Sequence, residues 1–135
     1  MNTTINVRTS GQGLAEITSQ VREVVRSSDV KNGICHLMIR HTSASLLIQE
    51  NADPSAKRDL EGWLNRLVPE NDPIFTHTLE GPDDMPAHIK AALTATTLSI
   101  PVMDGEPALG TWQGIYLWEH RSNPHNRSIA VYVGK

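Results

Sequence analysis

The chain has 135 residues, the size of one domain, and 39% of them are apolar and 20% charged. That apolar share excludes a disordered chain, and a net charge of -3 excludes an overall basic field that would gather nucleic acid or an anionic membrane surface. No stretch approaches the ~18 apolar residues of a membrane span. The opening MNTTINVRTS lacks the charged and apolar regions of a secretory signal, so a cytoplasmic location is expected.

The elements follow at short spacing, with no linker or repeat, as in a single α+β domain over residues 1–135. Residues 3–9 alternate and read as a strand, and Gly11 and Gly13 punctuate a turn. Leu14, Ile17, Val21, Val24 and Val25 then recur at helical spacing to about Ser28. After the Asn32-Gly33 turn, residues 34–41 form an apolar strand that contains the only cysteine, Cys35. A lone thiol in an apolar run reads as a buried side chain, not as a nucleophile. Thr42, Ser43 and Ala44 bend the chain into a further strand ending near Gln49.

Asp53 is a good N-cap and Pro54 suits the first helical position, so a helix starts there. Leu60, Trp63, Leu64 and Leu67 supply its buried stripe, and Pro69 ends it. A loop runs to about Asp83. Asp84 then caps a third helix, with Pro86 in its first turn and Ile89, Ala92 and Leu93 facing inward. Ser99–Val102 reads as a strand, and Asp104-Gly105 as a tight hairpin turn with positive φ at both residues. Long strands at 111–120 and 127–133 read as a final hairpin. The first of them carries Trp112, Tyr116 and Trp118 on one face and Gln113, Ile115, Leu117 and Glu119 on the other. A strand without a solvent-like face is covered on both sides, and a partner subunit is one way to supply the second cover.

Polar residues that suit a site gather at particular places. His41 closes an apolar strand and is followed at once by Thr42 and Ser43. Gln49, Glu50, Asn51 and Asp53 cluster after the next strand, although capping accounts for Asp53 and a turn for Asn51. Phe75 to His88 is dense in possible ligands, among them His77, Glu80, Asp83, Asp84 and His88. His88 lies four residues after Asp84, so the two share a helix face. Neutral imidazoles at His41, His77 and His88 can hold a divalent metal, Zn²⁺ or Mg²⁺, with an open position for water or substrate. Phosphate binding by imidazolium, hydroxyls and helix amides is the alternative use. Gln113 and Glu119 share a strand face but stand about 20 Å apart at ~3.3 Å per residue, so one small molecule reaches both only if the strand bends or the site lies between subunits and draws one from each. Glu119 needs a partner, with Arg121, Arg127 or a pocket histidine as candidates.

Taken together, His41-Thr-Ser-Ala-Ser, Gln49-Glu-Asn-Ala-Asp-Pro54, His77-x-x-Glu80-Gly81, Asp83-Asp-Met-Pro-Ala-His88-Ile-Lys90 and Gly110-Thr-Trp-Gln-Gly-Ile115 through Glu119-His-Arg121 resemble the YjbQ-like family of secondary thiamine-phosphate synthase enzymes. The resemblance runs from about residue 5 to 133. It implies an α+β fold with an antiparallel β-sandwich or barrel-like core, about three packed helices, and a homotrimer. It further implies a weak or side activity that joins hydroxymethylpyrimidine diphosphate to thiazole monophosphate and releases pyrophosphate. The polar positions carried over are His41, Thr42, Asn51, His77, Glu80, His88, Gln113 and Glu119. In the mechanism that follows, His77 and His88, with a metal or protonated, stabilise the leaving group, and Glu119 is counted with His41, His77 and His88 as a catalytic residue. His41, Thr42 and Ser43 anchor phosphate oxygens, and Asn51 and Gln113 orient the pyrimidine. The alternatives are a metal-assisted phosphohydrolase built on the same histidines and a non-enzymatic trimeric binder of a phosphorylated metabolite.

Overall fold

In the computed structural model, which describes residues 1–135, the chain runs β1 (Asn2–Arg8), β2 (Gly13–Glu16), α1 (Thr18–Ser27), β3 (Gly33–Ile39), β4 (Ala44–Glu50), α2 (Pro54–Leu67), α3 (Asp84–Leu93), β5 (Thr97–Met103), β6 (Glu106–Pro107), β7 (Gln113–Glu119) and β8 (Asn126–Gly134). The expected α+β class with an antiparallel core and three helices is what the chain forms. Five strands in the order β1-β8-β3-β5-β6 make one antiparallel sheet, and β2-β7-β4 make a second. Leu46 of β4 bonds through its amide to the carbonyl of Ala95, just before β5, and so ties the two sheets together at one side. No helix is long and apolar enough to cross a membrane.

The strand period sets the core. Cys35, Leu37 and Ile39 of β3, Ile129, Val131 and Val133 of β8, and Ile100 and Val102 of β5 point to one side, as residues two apart must. They meet Ala44 and Leu46 of β4 and Ile115 and Leu117 of β7 from the facing sheet, with Val21 and Val25 of α1 closing an edge. Gly33 allows the close pairing of β3 with β8, because a Cβ there would overlap the carbonyl of Gly134. The Asp104-Gly105 turn between β5 and β6 has φ of 53° and 79°, the positive pair expected of a type I′ hairpin.

Four expectations change. Leu14 does not begin the first helix: Gly13–Glu16 pairs with β7 opposite Trp118, and α1 starts at Thr18. The two long C-terminal strands do not form a hairpin, because β7 lies in the three-stranded sheet and β8 in the five-stranded one. The second cover of β7 comes from the chain itself. Tyr116 and Trp118 pack with Leu14 and with Leu64 and Val68 at the end of α2, while Ile115 and Leu117 enter the main core. Helix orientation also differs from the expected stripes. Trp63 and Leu67 are 55% and 52% exposed, and α2 buries Leu64 and part of Leu60 instead. In α3, Asp84, Pro86, Ala87 and Lys90 are buried, whereas Ala92 and Leu93 are exposed and Ile89 is half-buried. Two short helices on a three-stranded sheet bury a narrower arc than a full amphipathic stripe, so the flanking apolar residues stay outside.

Asp53 caps α2 as expected, accepting from the Ser55 amide at 2.9 Å. Removing that acceptor in Asp53→Ala should cost about 1 kcal/mol. Leu64→Ala should cost roughly 2–5 kcal/mol through a cavity, whereas Trp63→Ala should stay within about 0.5 kcal/mol because the indole is mostly in solvent. Urea denaturation of the three variants tests this order. A Trp63 cost equal to that of Leu64 would mean that α2 is rotated.

Candidate functional site

The loop before α3, the first turns of α3 and the segment after β7 converge on one carboxylate, Asp84. The sequence assigns Asp84 to capping, but Asp83 occupies the N-cap position and no side chain caps the helix. The Asp84 carboxylate is 2% exposed and is spent on tertiary contacts. Its Oδ1 accepts from Arg121 Nη1 at 2.8 Å. Its Oδ2 faces His77 Nε2 at 2.8 Å and His88 Nε2 at 3.1 Å. The i, i+4 spacing places Asp84 and His88 on one helix face, and the loop folds back to deliver His77.

Arg121 holds this arrangement. Besides Asp84, its Nε donates to Asp83 Oδ2 at 2.9 Å and its Nη2 to the Glu80 carbonyl at 2.9 Å. The Ser122 amide also donates to Asp83 Oδ2. Burial pushes the Asp84 carboxyl up, but the charges of His88 and Arg121 and the hydrogen bond from His77 outweigh it and hold it below the ordinary carboxylate range. Asp83 is depressed likewise, its burial outweighed by Arg121 and the Ser122 amide.

The donor set suits a divalent cation. His88 Nδ1 lies 2.9 Å from the Thr42 carbonyl, an acceptor only, so that nitrogen carries a proton. His88 Nε2 then turns toward a carboxylate oxygen that His77 also faces. A singly protonated His88 presents a lone pair to Asp84, and a second proton or a cation is needed between them. The three ligand atoms, one each from His77, Asp84 and His88, lie within 4.8 Å of one another. The Thr42 contact orients His88 in the manner of a carbonyl behind a metal-binding imidazole. His77 is half exposed, so the cluster is open to solvent on that side. Cavities flank it: one of about 640 Å³ lined by Arg40, His41, Thr42 and His88, and one of about 380 Å³ lined by Phe75, His77, Gly81 and Met85.

The other expected site residues fall in three places. His41 shares the larger cavity with His88 but is not in the three-ligand cluster, since its Nε2 accepts from the Ser128 amide at 2.8 Å. Its proton is therefore on Nδ1. Burial and the nearby Arg127 charge pull His41 below the ordinary histidine range, so the ring is neutral. Thr42 contributes its carbonyl and has an exposed side chain. Ser43 and Glu119 belong to a buried network. Arg127 donates to both Glu119 oxygens, and its Nη2 reaches Ser43 Oγ at 3.0 Å. Thr9 Oγ1 donates to Glu119 at 2.7 Å, and so does the Arg121 amide at 3.1 Å. The partner of Glu119 is thus Arg127, and the backbone of Arg121 is anchored to the same carboxylate. Glu80 is exposed and offers its carbonyl to Arg121.

Asn51 and Gln113 lie at the opposite end of the three-stranded sheet. Gln113 pairs with Glu50, whereas Glu119 pairs with Ala44, six residues along β7. Asn51 Nδ2 donates to Glu16 and Gln113 Oε1 accepts from the Gly110 amide. Within one chain these two residues and the histidine cluster cannot touch one small molecule. The helix N-terminus expected to receive phosphate is filled by Asp83 and Asp84, whose charges already complement the helix dipole. The sequence places Asp84 among the possible ligands and on the same helix face as His88, but it assigns the carboxylate to capping and puts His41 in the metal set instead.

Asp83, Asp84 and Glu119 all have depressed folded values; for Glu119, burial is outweighed by Arg127, Thr9 and the Arg121 amide. They bind fewer protons folded than unfolded. The stability they contribute is fully present above the unfolded carboxylate value, about 4, and is lost as pH falls through the depressed folded values. Glu119→Gln should cost about 3–5 kcal/mol at neutral pH, because it leaves Arg127 buried without its anion, and it should flatten the acid limb. Chemical denaturation across an acid pH series reads both effects. An unchanged acid limb would remove Glu119 as a source of the dependence.

A family model described as UPF0047 protein YjbQ-like matches residues 3–135. The UPF0047 protein sll1880 of Synechocystis is 50% identical over 127 residues, covering 94% of this chain and 86% of its own length. The YjbQ protein of Escherichia coli O157:H7 is 45% identical over 114 residues, covering 84% and 80%. Among solved structures, a YjbQ/UPF0047 family protein from Clostridium acetobutylicum is 34% identical with a TM-score of 0.89, covering 98% of this chain and 99% of its own. A conserved hypothetical protein of Thermus thermophilus is 32% identical with a TM-score of 0.87 and the same coverage. A match across essentially the whole chain in both sequence and fold makes this protein a member of the YjbQ/UPF0047 family.

Proposed function

We propose that this protein is a divalent-metal-dependent enzyme acting on a small phosphorylated metabolite, with a transferase activity of the thiamine-phosphate synthase type. The observation that carries the reading is the convergence of His77, Asp84 and His88, with His88 oriented by the Thr42 carbonyl. A divalent cation bound there would neutralise the charge that builds on a departing diphosphate. In the reaction, the bond between the pyrimidine methylene carbon and the diphosphate oxygen breaks. A bond from that carbon to the thiazole nitrogen forms, and pyrophosphate leaves. The cavity beside His88 supports an anionic substrate, because His41, whose Nδ1 carries the ring proton, and the exposed Arg40 line it from a chain segment adjoining Thr42. Arg121 is fully engaged with Asp83, Asp84 and Glu80, so its role is to position ligands, not to grip phosphate.

The half-exposed face of His77 favours a second reading, metal-assisted phosphate-ester hydrolysis, because water has a direct path to the cluster. We assign the protein to the cytoplasm and to a homotrimer. The exposed Met38, Met103 and Tyr132 on β3, β5 and β8 support a further contact surface, and a monomeric mass by light scattering would count against it.

Metal content after purification, and turnover with and without a chelator, test the main reading. Asp84→Ala and His88→Ala should each lower both bound divalent ion and turnover by about a hundredfold or more. His77→Ala should do the same. Pyrophosphate release coupled to thiamine phosphate supports the transferase, and inorganic phosphate release supports the hydrolase. Substrate-dependent thermal stabilisation without turnover would make the protein a binder. Wild-type metal content and turnover in all three variants would end the metal-site reading.

A further inference from the structure

A third cavity, of about 190 Å³, lies where β2, α2 and the end of β7 meet, apart from the histidine cluster. Two of its lining side chains are nearly sealed, Trp118 at 6% and His120 at 1% exposure. Every fully buried side-chain polar atom in this fold has a hydrogen-bond partner. Trp118 Nε1 and His120 Nδ1 have none in the protein, so both reach open space, and the open space these two residues share is this cavity.

The hydrogen-bond inventory fixes what the cavity offers. Ser45 is completely buried, and its hydroxyl has one partner, His120 Nε2 at 2.9 Å. The hydroxyl proton goes to that nitrogen, which leaves the imidazole proton on Nδ1. Burial and the charge of the nearby Lys90 pull the His120 pKa down to about 3, so the ring is neutral at physiological pH. Lys90, itself 3% exposed, donates to Asn65 Oδ1 at 2.6 Å. That contact assigns the Asn65 oxygen to Lys90 and turns its amide nitrogen outward as a donor. Glu61 accepts from the Leu14 amide with Oε2 at 2.7 Å and keeps its other oxygen as an acceptor. The cavity thus has N–H donors from His120, Trp118 and Asn65 with a buried ammonium behind them, and one free carboxylate oxygen, from Glu61; Glu119 also lines it, but its carboxylate is spent on Arg127, Thr9 and the Arg121 amide.

We propose that this cavity binds a small carboxylic acid bearing an amino or hydroxyl group, with its carboxylate on the N–H groups of His120, Trp118 and Asn65 and its own donor on Glu61. Charge complementarity sets this class. A simple anion leaves Glu61 facing it unpaired, and a simple amine leaves the three donors and the field of Lys90 unused.

The test is ¹H–¹⁵N NMR of the full chain in the presence of a chelator, which separates it from the metal reading. The Trp118 indole signal is assigned by its loss in Trp118→Phe. Glycine or glycolate should shift that signal saturably at millimolar concentration. Acetate should bind about tenfold more weakly and methylammonium not at all, each lacking one end of the contact set. Asn65→Asp keeps a partner for Lys90 but turns a negative charge toward the ligand carboxylate, and it should weaken glycine and glycolate by about tenfold or more. Glu61→Gln should erase their advantage over acetate. No saturable shift with any titrant would overturn the proposal. So would equal shifts with all four, or unchanged affinity in both variants with a folded spectrum.

Discussion

The guanidinium of Arg121 is the constraint on which the candidate site depends. It binds Asp83, Asp84 and the Glu80 carbonyl at once, and its own backbone amide is held by Glu119. A planar fork with several fixed donors can align two carboxylates and a carbonyl, which a lysine cannot. With Asp84 pinned on one oxygen, the other is presented to His77 and His88. The loop that brings His77 has little apolar burial of its own, with Ile74 and Leu79 largely exposed. Its position is therefore set by these polar contacts.

Behind Arg121 stands a second ion pair, Glu119 with Arg127, completed by Thr9 and Ser43. Buried pairs of this kind add little net stability, since desolvation offsets the attraction, but they tolerate only one arrangement of their partners. Here that arrangement joins β7, β8 and the segment before β4. The polar chain continues from the core to the surface cluster: Arg127, Glu119, the Arg121 backbone, its guanidinium, and Asp84. The same stretch of chain, Glu119-His120-Arg121, sends three side chains to three environments. Glu119 enters the ion pair, His120 faces the small polar cavity, and Arg121 clasps Asp83 and Asp84.

The three-stranded sheet explains why so short a chain sustains this polar interior. β7 is covered on both faces by the same chain, with Ile115 and Leu117 against the larger sheet and Tyr116 and Trp118 against α2. Burying such side chains contributes roughly 1.5–3 kcal/mol each, enough to offset the cost of ordering the charged groups at the end of the strand.

Local chemistry determined much of what the sequence made legible. The Asp53-Pro54 helix start, the Asp104-Gly105 turn and the alternating core strands depend on interactions within a few residues, and they stand where the pattern put them. The dense polar segment from Phe75 to His88 was visible for the same reason. Tertiary structure decided the rest. Leu14 joined a strand because β7 offered an edge to pair with, which no helical period can register. Trp63 and Leu67 stayed outside because the sheet beneath α2 is only three strands wide. Asp84, not His41, joins His77 and His88 because Arg121, 37 residues away, turns its carboxylate inward, while the Ser128 amide takes His41 Nε2. Sequence alone can show that an aspartate starts a helix. Which way its carboxylate faces depends on a cation that only the folded chain brings near.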